Sequence, residues 1–224
     1  KAEVQKMPFD VTSNIGRVMK AYVDDFKIGH AAGIIGETVF QNPIDAAVRG
    51  NLSKVRVNLF IHREARILKI RDRGTKGLDH CSECEWGRVK DEETGQVTQT
   101  QCQNYSQCDW SVFFSLAQEG KGLGELGSRG LGKSLCALAG TDGIIVRTKI
   151  ATEGSKHKSM AAYFRPKSSV EGGWEWDTLP DEAWNWKEDP GTEIEVKGLN
   201  KDLIKDFSNP QKIVDECVLP YWFP

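Results

Sequence analysis

The chain has 224 residues, 39% of them hydrophobic, which is enough apolar material for an ordinary single α/β or α+β domain with its own core. Thirty basic residues against thirty-two acidic ones leave a formal charge of −2, so no global electrostatic field draws it to nucleic acid. No apolar run approaches the roughly 18 to 20 residues that cross a bilayer, and the charged opening KAEVQKMPFD has no signal-peptide core. The expectation is an intracellular protein, cytoplasmic or nuclear, in one domain over residues 1–224. The missing initial Met and the apolar ending VLPYWFP suggest a piece of a longer chain.

Residues 12–30 and 31–49 carry apolar positions three and four apart, as in IGRVMKAYVDDF and AAGIIGETVFQNPIDAAV, which predicts two helices. KVRVNLFIH and ARILKIRD then alternate apolar and polar residues, the period of half-buried strands, with the short REA between them as a hairpin turn. Past residue 78 the pattern gives way to a polar, Cys-containing stretch over 79–110, expected to be an insertion or lid. WSVFFSLAQ and a Gly-rich loop lead to KSLCALAG, a short apolar helix. DGIIVRTK, SMAAYFRP and GTEIEVKGL are strand-like, and EGGWEWDTLPDEAWNWKEDP between the last two is a Trp-rich excursion. The closing NKDLIKDFSNPQKIVDECVLPYWF predicts helix. This order implies an α+β, two-layer fold whose mixed, mainly antiparallel sheet is covered on one face by helices.

GSRGLGKSL, from Gly127 to Leu135, has the full spacing of a Walker A loop. Its surroundings do not suit one. A P-loop follows a buried parallel strand and needs a second strand ending in Asp, whereas LAQEGKGLGEL precedes this loop and GIIVRTK ends in a base. The chemistry survives the change of fold, because glycines ahead of a helix let backbone N–H groups and the helix dipole approach an anion.

Four motifs in one order, ETVFQNPIDAA, LKIRDRGTKGL, GSRGLGKSL and GTEIEV, resemble the GHKL ATPases, over roughly residues 15 to 200. That family includes type II topoisomerase ATPase domains, the topoisomerase VI B subunit, MutL, MORC proteins, the large heat-shock chaperones and histidine kinases. The two helices ahead of the first strand and the long chain after GTEIEV fit the clamp-like branches better than the kinases. The resemblance implies a Bergerat-type ATP-binding fold that uses Mg2+, closes a lid over ATP, dimerises on closure and reopens on hydrolysis. Nucleic-acid or protein partners would act through further domains. In its terms Asn42 holds magnesium, and Asp45 and Ala46 match the following DA pair. Asp72 accepts from the adenine amino group, Gly74 lets the purine lie close to the backbone, and Gly77 is the next glycine of the same nucleotide-binding segment. Thr192 completes the adenine contact, and Gly130, Leu131, Gly132, Lys133 and Ser134 cover the phosphates.

Two departures stand out. The family's catalytic Glu lies four residues before its Asn, where this chain has Thr38, and the nearest acid is Glu37. One residue turns a helix by about 100°, but Pro43 lacks an N–H and clashes with the carbonyl four residues back, so a one-residue π-bulge there would return Glu37 to the site as general base. The other is DRGTKG in place of DNGxG, which puts Arg73 where Asn is usual and brings Gly77 one residue late. A simpler reading of QNPID makes Asn42 the N-cap of a fresh helix with Pro43 at its first position.

Cys81 and Cys84 form a C-x-x-C pair, and Cys102 and Cys108 follow with five residues between them. Four thiolates in so polar a segment suit a structural zinc, with His80 as a substitute ligand; disulfides or unconnected thiols are the alternatives. Cys136 and Cys217 sit in apolar helical contexts and suit packing. Besides a hydrolysing ATPase, the sequence leaves open a nucleotide-binding switch without hydrolysis and an interaction domain built around a zinc-binding insertion.

Overall fold

A computed structural model describes residues 40–79, 87–90, 97–100, 108–114, 136, 139–151, 159–166, 174–179 and 189–219. Its centre is a six-stranded sheet. In chain order the strands are β1 (Arg56–His62), β2 (Ile67–Arg73), β5 (Ile144–Lys149), β6 (Ser159–Pro166), β7 (Trp174–Leu179) and β8 (Gly191–Lys197), and across the sheet they run β1-β2-β8-β5-β6-β7. Each of these pairings is antiparallel, so the mixed sheet expected from sequence is antiparallel throughout its described strands. The short strands β3 (Gly87–Lys90) and β4 (Val97–Thr100) pair in a separate hairpin inside the Cys-rich stretch, an element its polar composition concealed.

The hairpin of β1 and β2 follows from alternation. Val57, Leu59 and Ile61 face the same side as Leu68 and Ile70, and the turn between the strands closes with Arg66 at φ 55°. Arg66 then reaches across to β8's exit, its Nε donating to the Leu199 carbonyl at 2.6 Å. The Trp-rich excursion begins as β7, whose register aligns Trp176 with Phe164 of β6 and, through it, with Ile144 of β5.

The core lies on one face of the sheet. Leu68, Ile70, Ile144, Val146, Ile194 and Val196 form its floor, and Trp110, Cys108, Cys136, Leu203 and Phe207 pack over them. Four of these are helical: Trp110 in α2 (Asp109–Phe114), Leu203 and Phe207 in α3 (Lys201–Phe207), and Cys136. Burying side chains of this size contributes about 1.5 to 3 kcal/mol each, and this is what fixes the helical layer to the sheet. Asn200 caps α3 by accepting from Leu203 N at 2.7 Å. The expected single closing helix is interrupted at Ser208 and Asn209, where Asn209 caps the short α4 (Pro210–Ile213), and a π-helical turn follows over Val214–Val218. No helix among the described residues is long and apolar enough to cross a membrane.

Candidate functional site

At one end of the sheet the apolar ladder gives way to polar residues. Continuing inward along β2, Leu68 and Ile70 are followed by Asp72; on β8, Val196 and Ile194 are preceded by Thr192; on β5, Ile144 and Val146 are followed by Thr148. Thr148 pairs with Thr192 in the β5–β8 register, and Thr192 donates its backbone N–H to Asp72 Oδ1 at 3.2 Å. Three adjacent strand ends therefore set Asp72, Thr192 and Thr148 in a row on the helix-covered face.

The segment after β2 is strapped across this row. Asp72 Oδ1 accepts a second hydrogen bond, from the Thr75 hydroxyl at 2.6 Å, and Thr75 Oγ1 itself accepts from Gly77 N at 3.3 Å. Leu78 N donates to Thr148 Oγ1 at 2.7 Å, while that hydroxyl donates to the Gly191 carbonyl at 3.1 Å. Gly74 N bonds to the Pro190 carbonyl at 2.9 Å, and Ala151 N to the Lys76 carbonyl at 3.0 Å. The Thr75 side chain thus closes the turn between Asp72 and Gly77.

The glycines do different work. Gly77 has φ +73°, and a Cβ there would stand 2.3 Å from the Lys149 carbonyl oxygen, so it lets the strap lie against β5. Gly74, at φ +86°, has nothing among the described residues within 4 Å of its Cβ position, so that side, beside Asp72, is open among them. At Gly191 a Cβ would meet the Asp72 carbonyl oxygen at 2.2 Å, so only glycine lets β8 begin so close to the end of β2.

Burial pushes the Asp72 carboxyl up to about 6, against the smaller opposing effects of the Thr75 and Thr192 hydrogen bonds. The Thr75 and Thr192 donors are neutral and both land on Oδ1, and the backbone N–H of Asp72 also bonds its own carboxyl. The carboxyl is thus desolvated, held by neutral donors, and close to its titration point at neutral pH.

The first motif is carried by α1 (Asn42–Arg49). Gln41 ahead of it has helical backbone angles and makes no side-chain cap, and Phe40 with Gln41 forms a π-helical turn. Asn42 is therefore inside a helix, not its N-cap, and the π-turn stands where the missing N–H of Pro43 predicts one. Asp45 is fully buried, while Asn42 and Ala46 are half-buried. α1 is tied to the strap through Asp109 at the start of α2, which pairs with Lys76 at 2.6 Å and with Arg49 at 4.0 Å.

Asp72, Thr192, Gly74 and Gly77 are thus brought together, and Asn42, Asp45 and Ala46 lie on the helix linked to them through Asp109. Glu37 and the loop residues Gly130, Leu131, Gly132, Lys133 and Ser134 lie outside the described residues, as do Cys81, Cys84 and Cys102. Cys108 is fully buried in the core. Among the described residues no group of three or more His, Cys, Asp or Glu side chains is placed to hold a metal ion. Sequence reasoning missed Thr75, Thr148, Gly191 and Asp109. For Thr148 a signal existed, since the alternation of Ile144 and Val146 puts its hydroxyl on the core face, where it needs a partner.

No protein-family model matches the chain, and no curated protein matches it.

Proposed function

We propose that this chain is a GHKL-type nucleotide-binding domain that takes ATP with magnesium at the Asp72 end of the sheet and hydrolyses it. The observation that carries the reading is the row of Asp72, Thr192 and Thr148 beside the open side of Gly74, on the face where an antiparallel sheet meets its helices. A desolvated carboxylate with open space next to it suits an exocyclic amine, and a glycine in that space lets a flat purine approach the backbone.

Asn42 would hold the magnesium through its amide oxygen. Mg2+ often takes only one or two protein oxygens and completes its shell with phosphate oxygens and water, so the lack of a larger acidic cluster among the described residues suits it. When bound, the ion neutralises charge on the phosphates. Gly130 through Ser134 offer backbone N–H groups and the Lys133 ammonium to the same phosphates. Glu37 takes the role of general base, accepting a proton from the attacking water. The phosphoanhydride bond then breaks to give ADP and inorganic phosphate, and lid closure over residues 79–110 is coupled to pairing of two such domains. Zinc on Cys81, Cys84, Cys102 and Cys108 remains a separate proposal, and it would require Cys108 to serve from within the core.

A nucleotide switch without hydrolysis is the second reading, favoured by Thr38 at the position where the family carries its Glu. Calorimetric titration with a non-hydrolysable ATP analogue and Mg2+ tests the common premise: micromolar or tighter binding supports it, and no magnesium-dependent binding sinks it. Phosphate release by Glu37→Ala then separates the two readings. A fall of a hundredfold or more supports hydrolysis through Glu37, and unchanged turnover removes Glu37 from the mechanism.

A further inference from the structure

Asp72 Oδ1 receives two donors, the Thr75 hydroxyl at 2.6 Å and the Thr192 amide at 3.2 Å. Thr75 is almost fully buried, with 4% of its surface exposed, and its oxygen is engaged by the Gly77 N–H. That third contact orients the hydroxyl: its acceptor side faces Gly77, so its single hydrogen is committed to Asp72. With two hydrogens already pointing at Oδ1, a proton cannot also sit there, and Oδ2, which takes neither bond, is the oxygen left to meet a ligand.

We propose that Thr75 is a positioning residue that sets base selectivity, holding Asp72 as an acceptor so that the site takes purines with a 6-amino group and rejects those with a 6-oxo group. An amine at the purine 6-position donates to Oδ2. An oxo group at that position sets lone pairs against a carboxylate oxygen, which repels it, unless the carboxyl carries a proton to donate. Thr75 works against that proton, since its hydroxyl bond favours the ionised form of a group that burial alone drives toward the neutral one. The selectivity device is the extra residue of the DRGTKG turn. The proposal rests on the ATP reading above.

The test compares dissociation constants of ATP and inosine triphosphate, both with Mg2+, over pH 5 to 8. Wild type should prefer ATP, and the preference should fall as pH drops through the titration of Asp72. Thr75→Val keeps the shape and removes the hydroxyl. It should weaken ATP about tenfold at pH 7, narrow the ATP-to-inosine preference by a similar factor and move the pH inflection upward, while Thr75→Ser restores all three. Thr75→Ala carries the same expectation and serves if the valine variant does not fold. In the unliganded protein, the Asp72 carboxyl followed by NMR should titrate higher in either hydroxyl-free variant than in wild type. A Thr75→Val or Thr75→Ala protein with wild-type preference and inflection overturns the role of Thr75 while leaving the ATP reading standing. Wild type that binds both equally overturns the selectivity proposal and leaves ATP binding standing, and wild type that binds neither overturns the ATP reading and this one with it.

Discussion

Buried carboxylates lie on both faces of the central strands, and Asp72 on one face is shifted opposite to Glu195 on the other. On the helix-covered face Asp72 is raised to about 6 by burial. On the other face burial also raises Glu195, but hydrogen bonds and charge from Arg147 and then Lys69 outweigh it and hold the carboxyl below its ordinary range. There Arg147 donates to Glu193 Oε1 at 3.0 Å and to Glu195 Oε2 at 2.8 Å. Arg71 donates from Nε to Glu193 Oε2 at 2.7 Å while its guanidinium sits over the Phe60 ring, and Lys69 pairs with Glu195 at 3.1 Å. The difference lies in the partners. The outer carboxylates are paired with cations and serve the sheet, whereas the Asp72 carboxyl has only neutral donors among the described residues.

The largest expected effect breaks the outer set. Arg147→Met takes away the cation shared by Glu193 and Glu195, which are 2% and 5% exposed, and leaves Arg71 on the first and Lys69 on the second. Each of the two charge-assisted hydrogen bonds lost is worth about 1.5 to 3 kcal/mol, readable by urea unfolding at pH 7. The depressed Glu195 carboxyl contributes stability that is present above its unfolded value and lost as pH falls through the folded one. Arg147→Met should therefore lose its deficit relative to wild type in acid.

Asp72→Asn should do the reverse. A carboxyl raised in the folded state means that the native protein binds its proton more tightly than the unfolded chain, so stability falls as pH rises from about 4 to about 6 and stays lower above that. The amide keeps an oxygen for Thr75 and Thr192 and carries no charge to desolvate. Unfolding at pH 7.5 should show Asp72→Asn more stable than wild type by roughly 3 kcal/mol, since each tenfold difference in proton affinity between folded and unfolded chains is worth about 1.4 kcal/mol, and the gain should be nearly gone near pH 4. Thr148→Val is expected to cost about 1 to 2 kcal/mol, because it leaves the Leu78 N–H without its acceptor beneath the strap. The smallest effect is at Lys76, whose side chain is 48% exposed in its pair with Asp109. Lys76→Met should change stability by less than about 1 kcal/mol, and a larger loss would mean that the link from strap to α2 does more than a surface ion pair.

Much of the sheet was legible because alternation is a direct record of a half-buried strand. It located β1, β2, β5, β6 and β8, and the motif order brought Asp72 and Thr192 to neighbouring positions before any register was known. What escaped depends on partners distant in sequence. The charged residues of GTEIEVK look like an exposed face, yet Glu193 and Glu195 are buried under arginines from β2 and β5. The paired strands 87–90 and 97–100 lie in polar sequence without an apolar alternation to betray them, and β7 was hidden by its density of tryptophan and acid. Mixed sheet became antiparallel because nothing local in a strand's alternation reports the direction of its neighbour. Nothing in the sequence singles out Thr75, since only the fold reveals that its hydroxyl closes onto Asp72.

In the proposed function Asp72 is a recognition group whose burial costs stability in the empty protein. The direct measurement is the dissociation constant of the ATP analogue with Mg2+ against pH, for wild type and Asp72→Asn, with folding checked by unfolding curves on the same samples. The prediction is wild-type affinity that weakens as pH falls through about 6, and a stable Asp72→Asn protein whose affinity is at least a hundredfold lower at pH 7.5. Equal affinity in the two proteins at every pH, with both folded, would contradict it.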